Sequence, residues 1–334
     1  MSVKTEIAEL MNKDGQMYDW ASKVEYRNNL TSEEKEISTV VDAWAKEIGN
    51  KGADKDNEIA SFILKTVQPE VYDKPDALLS TMFNRGSVGE FDDYLVDVAP
   101  KNTLKAYDAA KGGNVMKSYI DVSALKPTWK HRQVETEISY ADLRRNGYKS
   151  IALLTTYAQE ALKNAMISDV FNILDTAVAG SDQVFAITGA TLDKTSLDKL
   201  SLYAIDHATD GDSPFTFSLN KYAQQIANIS GYTSFMSDNM KDDYNRYGLV
   251  KEYGGLLISG ISGAKKAADG AFLVPDKRIF AVAGKIGNLD MRGDLRVYQD
   301  ADNNREKFSI KITGFEYGTV ITFPDKVAKV TFTA

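Results

Sequence analysis

The side chains that carry most enzyme chemistry are scarce in this chain. It holds two histidines, His131 and His207, and no cysteine. The lack of cysteine removes disulfides, thiolate zinc sites, iron–sulfur clusters and thiol nucleophiles together. The histidines stand far apart in sequence without a supporting acid motif, so they do not read as a metal pair. Two Asp-rich runs, DHATDGDS at 206–213 and DADNN at 300–304, resemble oxygen-rich calcium loops. Neither has the full ligand spacing: the second would need a glycine at Arg305 and an acid at Lys311, and both read more simply as turns. The run GGLLISGISGAKKAADG, 254–270, could offer backbone amides, Lys265 and Lys266 to an anion. It has no Gly-Lys-Ser/Thr and no G-x-G-x-x-G, and reads as a strand followed by a flexible loop. There is no G-x-S-x-G elbow either. No catalytic residue, metal or cofactor is expected.

What the sequence specifies strongly is shape. From 148 to 179 the apolar residues Ile151, Leu154, Ala158, Leu162, Met166, Val170, Ile173 and Ala177 recur three or four apart, the period of one helix face. Some thirty residues at 1.5 Å each predict a rod of about 45 Å, which needs a long surface to lie on. Lys163, Asn164, Ser168, Asp169 and Asp175 interrupt the apolar run, so the rod is a spine and not a membrane span.

Before the spine, residues 3–67 carry three amphipathic stripes: Ile7 to Val24, Ile37 to Ile48, and Ile59 to Val67. Thr31 with Glu34 forms a capping box for the second, and Gly49 is its stop. After Pro69 a short helix is expected from Pro75 to Phe83. The period then changes, with strand-like runs at 91–98 and 115–125 flanking the turn formers of 106–114, and alternation continuing through 126–139. Ser139 with Asp142 can cap a short helix just before the spine.

Beyond Gly180, helices are expected from Thr195 with Asp198, from Ser218, and from Ser237 to Gly248. Strand candidates lie at 214–217, 253–259, 271–274 and 278–284. From Asp294 the chain is extended in four runs to its end.

The totals fit a folded protein: 334 residues, 43% hydrophobic and 10% aromatic, with a net charge of −7. Residues 1–70 hold 9 Lys/Arg against 14 Asp/Glu, net −5, so the remaining body is nearly neutral at −2. With no basic stripe and no reader motif, sequence-specific nucleic-acid binding is not expected. No leader and no long apolar run point to secretion or to a membrane.

This order of elements resembles the major capsid protein of tailed bacteriophages, the Hong Kong 97-type fold, over about residues 70–334. The resemblance implies an α+β fold with an N-terminal helical arm at 1–70. It places the rest of the arm and an extended β loop at 71–147, and a peripheral domain of spine and long strands at 148–193 and 291–334. A compact α/β axial domain would occupy 194–290, with VKEYGGLLIS similar to the family's strand bearing Y-x-G. By the same resemblance, Lys111, Gly112, Gly113 and Asn114 form the loop tip that contacts a neighbouring subunit. Ile151, Leu154, Leu162, Met166, Val170 and Ile173 form the spine's core face. In this family the N-terminal segment is removed in some members and retained in others, and both remain open for 1–70.

The implied function is a structural, non-enzymatic subunit of an icosahedral phage head, self-assembling into hexamers and pentamers around double-stranded DNA that it does not read. Scaffold and portal proteins would be partners, the host cytoplasm the place of assembly and the virion the destination. Two other readings stand beside it: an encapsulin-like nanocompartment shell, and an α/β enzyme with a metal at an Asp-rich loop.

Overall fold

Narrow apolar stripes on otherwise charged helices need a common surface, and the first three helices find one. The computed structural model describes residues 16–25, 29–51, 56–72, 76–98, 123–209, 211–229, 236–264, 270–302 and 306–333. Helices α1 (Gln16–Glu25), α2 (Ser32–Lys51) and α3 (Asp56–Tyr72) bury Trp20, Trp44, Ile48, Ile59 and Phe62 in the same core as the rest of the chain. The capping box of α2 forms as its sequence predicts: the Thr31 amide donates to Glu34 Oε2 at 2.8 Å, and the Glu34 amide to Thr31 Oγ1 at 3.3 Å. Pro69 does not end α3, which runs on to Tyr72. A proline in a last turn removes few helical hydrogen bonds, and the buried Val71 and the Tyr72 ring, 5.9 Å from that of Phe315, hold the turn in place.

Asp76 caps α4 (Ala77–Met82), and the chain passes straight into strand β1 (Phe83–Val88). The sequence does not announce this strand, because FNRGSV has only two buried apolar positions. Strands β2 (Val96–Val98) and β3 (Ser123–Leu125) pair antiparallel, Val96 opposite Leu125. Then come β4 (Thr128–Ser139), α5 (Tyr140–Asn146), capped by Ser139, and the thirty-residue α6 (Tyr148–Ala177). Within α6, Ile151, Leu154, Ala158, Leu162, Met166 and Val170 are buried, while Ile173 is half-buried and Leu174 takes the inward place. The helix ends three residues before Gly180, with the Val178 amide on the Leu174 carbonyl.

The second half supplies β5 (Val184–Thr188), α7 (Lys194–Asp206), β6 (Phe215–Leu219), α8 (Asn220–Ala227) and α9 (Asp238–Tyr247). It closes with β7 (Glu252–Tyr253), β8 (Leu256–Ile261), β9 (Arg278–Val282), β10 (Gly287–Arg292), β11 (Arg296–Asp302), β12 (Lys307–Ile321) and β13 (Val327–Thr333). Boundaries differ from the sequence expectation at several places, among them 253–259, which is two strands, and 91–98, of which only 96–98 is strand. Helix α7 is capped by Asp193, whose carboxylate takes the Ser196 amide at 2.9 Å, not by Thr195, since a carboxylate is the better cap. Ser218 lies inside β6 and not at a helix start. Of 271–274, only Phe272 makes an isolated bridge.

Two sheets result. In the five-stranded sheet, β12 is the long central strand: β4 runs along one edge, β11 and then β10 along the other, and β1 lies parallel to β10. The partner changes at a bulge between Ile312 and Phe315, where Gly314 has φ +82° and approaches Asp294 too closely for a side chain. The six-stranded sheet runs β5-β13-β9-β6-β8-β7. The last strand therefore belongs with the sheet of 194–290, and does not share the sheet formed by the strands of 287–321. β7 and β8 form a two-residue hairpin whose central Gly254 and Gly255, at φ +53° and +85°, take the left-handed conformations such a turn requires.

Candidate subunit-contact surfaces

The chain leaves the five-stranded sheet after β1 and returns on β4. Between them β2 and β3 pair as a short antiparallel ribbon, the root of the segment 99–122 that lies outside the described residues, and it is held from the side of β10 and β11. Its first turn is closed by the Asp92 amide on the Gly89 carbonyl, 3.2 Å, and the Gly89 amide on Asp92 Oδ2, 3.1 Å. Arg292 donates to the Asp92 carbonyl at 3.3 Å, stands 5.0 Å over the Trp129 ring, and faces Glu316 at 3.8 Å. Arg296 pairs with Glu90, and Lys126 with Asp93 at 3.3 Å.

Beneath this root lies a buried carboxylate. Asp290 on β10 is opposite Gly86 of β1 and Gly318 of β12, two positions without side chains on either flank. A Cβ at Gly86 would come within 2.6 Å of Asp290 Oδ1. Burial pushes the Asp290 carboxyl above its ordinary range, while the Tyr94 hydroxyl and the Gly86 amide bond to it and pull it partly back. Asp290 Oδ2 is left without a partner. Tyr94 stands two residues ahead of β2, so this contact ties the root of the excursion to the middle of the sheet. Phe91, Leu95 and Leu125, at the same root, are exposed, Phe91 to 91%.

The spine positions the sheets through two carboxylates that, from sequence, only interrupt its apolar stripe. Asp169 receives Arg132 of β4 through two nitrogens, 3.0 and 2.7 Å, and the Tyr317 hydroxyl of β12. Burial and the Asp169 carboxylate push the Tyr317 hydroxyl well above the ordinary phenol range, so it stays a donor. Asp175 takes Arg278 of β9 at 3.2 Å and the buried Lys329 of β13 at 2.7 Å. Six residues apart, the two side chains leave the helix about 120° from each other, one toward each sheet.

The sequence-derived candidates fall as follows. Lys111, Gly112, Gly113 and Asn114 lie outside the described residues. In the first Asp-rich run, Asp212 is engaged by Lys326 at 2.6 Å and by Thr209. Burial alone would raise its carboxyl, but these partners hold it below the ordinary range. In the second, Asp300 belongs to β11 and is not in a loop. His131 is exposed on β4; the His207 ring stacks on that of Tyr203, 4.0 Å between centroids. A cavity of about 500 Å³ separates the middle of α6 from the end of β8, with Gln159, Lys163, Phe171 and Ser259 on its walls. Elsewhere, Leu202 and Ile205 of α7 and Leu257 of β8 are exposed, with Ile205 beside Gly255 of the β7–β8 turn.

No protein-family model matches the sequence, and no curated protein matches it. Solved structures do. The capsid structure of the Cyanophage P-SCSP1u aligns with a TM-score of 0.55 at 10% identity, over 78% of this chain and 89% of that one. A structure from Gordonia phage Cozz aligns at 0.54 and 14%, over 78% and 87%. One from Microbacterium phage Oxtober96 aligns at 0.55 and 11%, over 78% and 92%. At such identities the likeness is one of fold: this chain has an α+β phage-capsid fold.

Proposed function

We propose that this chain is the major capsid protein of a tailed bacteriophage, a non-enzymatic subunit that assembles with copies of itself into the hexamers and pentamers of an icosahedral head enclosing double-stranded DNA. The observation that supports this best is the shared fold. The two-stranded excursion gives it a physical sense. A two-stranded ribbon has too little apolar area to be stable alone and gains its contacts by lying on something else. Here its root is fixed to the subunit by Tyr94, Arg292 and Arg296, while Phe91, Leu95 and Leu125 are presented outward. A copy of the same chain is the partner that a closed, symmetric shell supplies.

In this reading the extended loop, expected over about 90–138 with its tip at 111–114, ends where β4 rejoins the five-stranded sheet. The spine and the five-stranded sheet form the peripheral part, and the six-stranded sheet with α7–α9 the axial part. The nearly neutral body suits a wall along which packaged DNA slides. Scaffold and portal proteins would join it during assembly in the host cytoplasm, and the finished protein resides in the virion.

Light scattering across a concentration series, with negative-stain imaging of the same fractions, tests the proposal. Capsomer-sized rings or regular hollow particles are expected. A chain that stays monomeric at every concentration, including with the neighbouring structural proteins of its source genome, would sink it. Particles filled with a protein cargo and free of nucleic acid would replace the phage head with a nanocompartment shell.

A further inference from the structure

Helices α1, α2 and α3 are seated at three separate places. At the first, α6 begins at Gly147, which offers no side-chain cap to the helix. Asp42 of α2 fills that role from outside, its carboxylate 3.4 Å from the Tyr148 amide at the positive end of a thirty-residue helix. The fit depends on glycine twice over: Gly147 has φ +48°, and a Cβ there would lie 1.9 Å from Asp42 Oδ1. The complementary contact runs the other way, with Arg144 of α5 donating to the Gly49 carbonyl near the end of α2 at 2.8 Å. At the second seat, Trp20 of α1 is fully buried, donates to Ser38 at 2.9 Å and lies 6.3 Å from the Tyr148 ring. At the third, α3 reaches the bulge of β12: the Tyr72 hydroxyl bonds the Gly314 carbonyl at 3.3 Å, and Gln68 bonds Asp294 at 3.3 Å.

A segment that leaves its host is expected to have an interface of its own and a core of its own. Among the described residues, this one has no core apart from that of the body. Trp20, Val41, Trp44, Ile48, Phe62 and Val67 belong to one continuous core with Ile151, Leu162 and Phe315. We infer that residues 16–72 are a permanent layer of the folded subunit, opening only when the spine opens, and that they remain attached in the particle. The second half of this inference rests on the capsid reading; the first does not.

Hydrogen exchange read by mass spectrometry on the full chain tests the first half. Peptides from α1–α3 are expected to exchange in step with the centre of α6, because regions sharing a core open in one event. Arm peptides exchanging about a hundredfold faster than the spine under native conditions would overturn it. Gly147→Ala is a sharper probe. It should lower the unfolding midpoint while arm and spine still open together; release of the arm alone, with α6 protection unchanged, would count against the inference. The second half is read from the intact mass of the chain in assembled particles. The mass of all 334 residues, or one that retains 16–72, is expected. Particles built of chains that begin after residue 72 would overturn retention, and failure to form any particle would count against the capsid reading while the exchange result still decides the first half.

Discussion

Asp290 shows how a single side chain can work against stability and still be kept in place by its surroundings. Its carboxyl is raised in the folded state, so the native protein holds that proton more tightly than the unfolded chain does. Stability from this group is therefore fullest below the ordinary carboxylate range and declines as pH rises through the raised folded value. Asp290→Asn removes the charge but keeps an acceptor for Tyr94. The variant is expected to be more stable than the parent at pH 7, by about 1 kcal/mol given one unpartnered buried oxygen, with the gap closing as the pH is lowered through the carboxylate range. Denaturant melts at a series of pH values measure this, and a constant gap would show that the carboxyl is not raised. Nothing in GNLDMR reveals such a residue. Its burial comes from Gly86 and Tyr94, some 200 positions away, and no local pattern carries that information.

At the scale of elements, the spine was legible because its signal is local: a helix buries one face, and the period of that face is written in consecutive residues. The same pattern makes Leu162 and Val170, both about 1% exposed, intolerant of charge. Leu162→Asp or Val170→Asp should give insoluble or unfolded protein, since an unpaired buried carboxylate costs more than a domain's whole margin of stability. Circular dichroism on the soluble fraction checks this. The carboxylates that orient the spine were visible only as interruptions. They ride on separate faces and hold separate sheets, so their losses should add. Asp169→Ala frees the partly exposed Arg132 and is expected to cost about 1–2 kcal/mol. Asp175→Ala leaves the Lys329 ammonium buried and is expected to cost about 3 kcal/mol. The double variant should match the sum within about 0.5 kcal/mol, as for sites without shared partners. A large coupling would mean that the two sheets respond to the helix as one body.

For the whole molecule, strand content was readable but strand partnership was not. The four extended runs after Asp294 are all present, yet two of them merge into β12, and the last crosses to the other sheet, because its pairing is decided by β9 about 50 and β5 about 145 residues before it. β1 and β10 were missed for a related reason: β1 offers only Phe83 and Val88 as apolar positions and β10 only Leu289 and Met291, alternations too short to stand out in sequence. What the fold as a whole presents is a ribbon root with apolar side chains facing outward and an anchored base. If these residues are contacts between copies, removing them should divide folding from assembly. Phe91→Ser with Leu125→Ser is expected to leave the unfolding midpoint of the isolated subunit nearly unchanged, because Phe91 is 91% and Leu125 42% exposed and surface substitutions shift stability by about 0.5 kcal/mol or less. The same protein should fail to form rings or shells under conditions in which the parent assembles. A marked loss of stability would show that the two residues are packed within their own subunit. Shells of normal diameter and yield would show that the root is not where copies meet, and would move the search to the exposed Leu202 and Ile205 on α7 and Leu257 on β8.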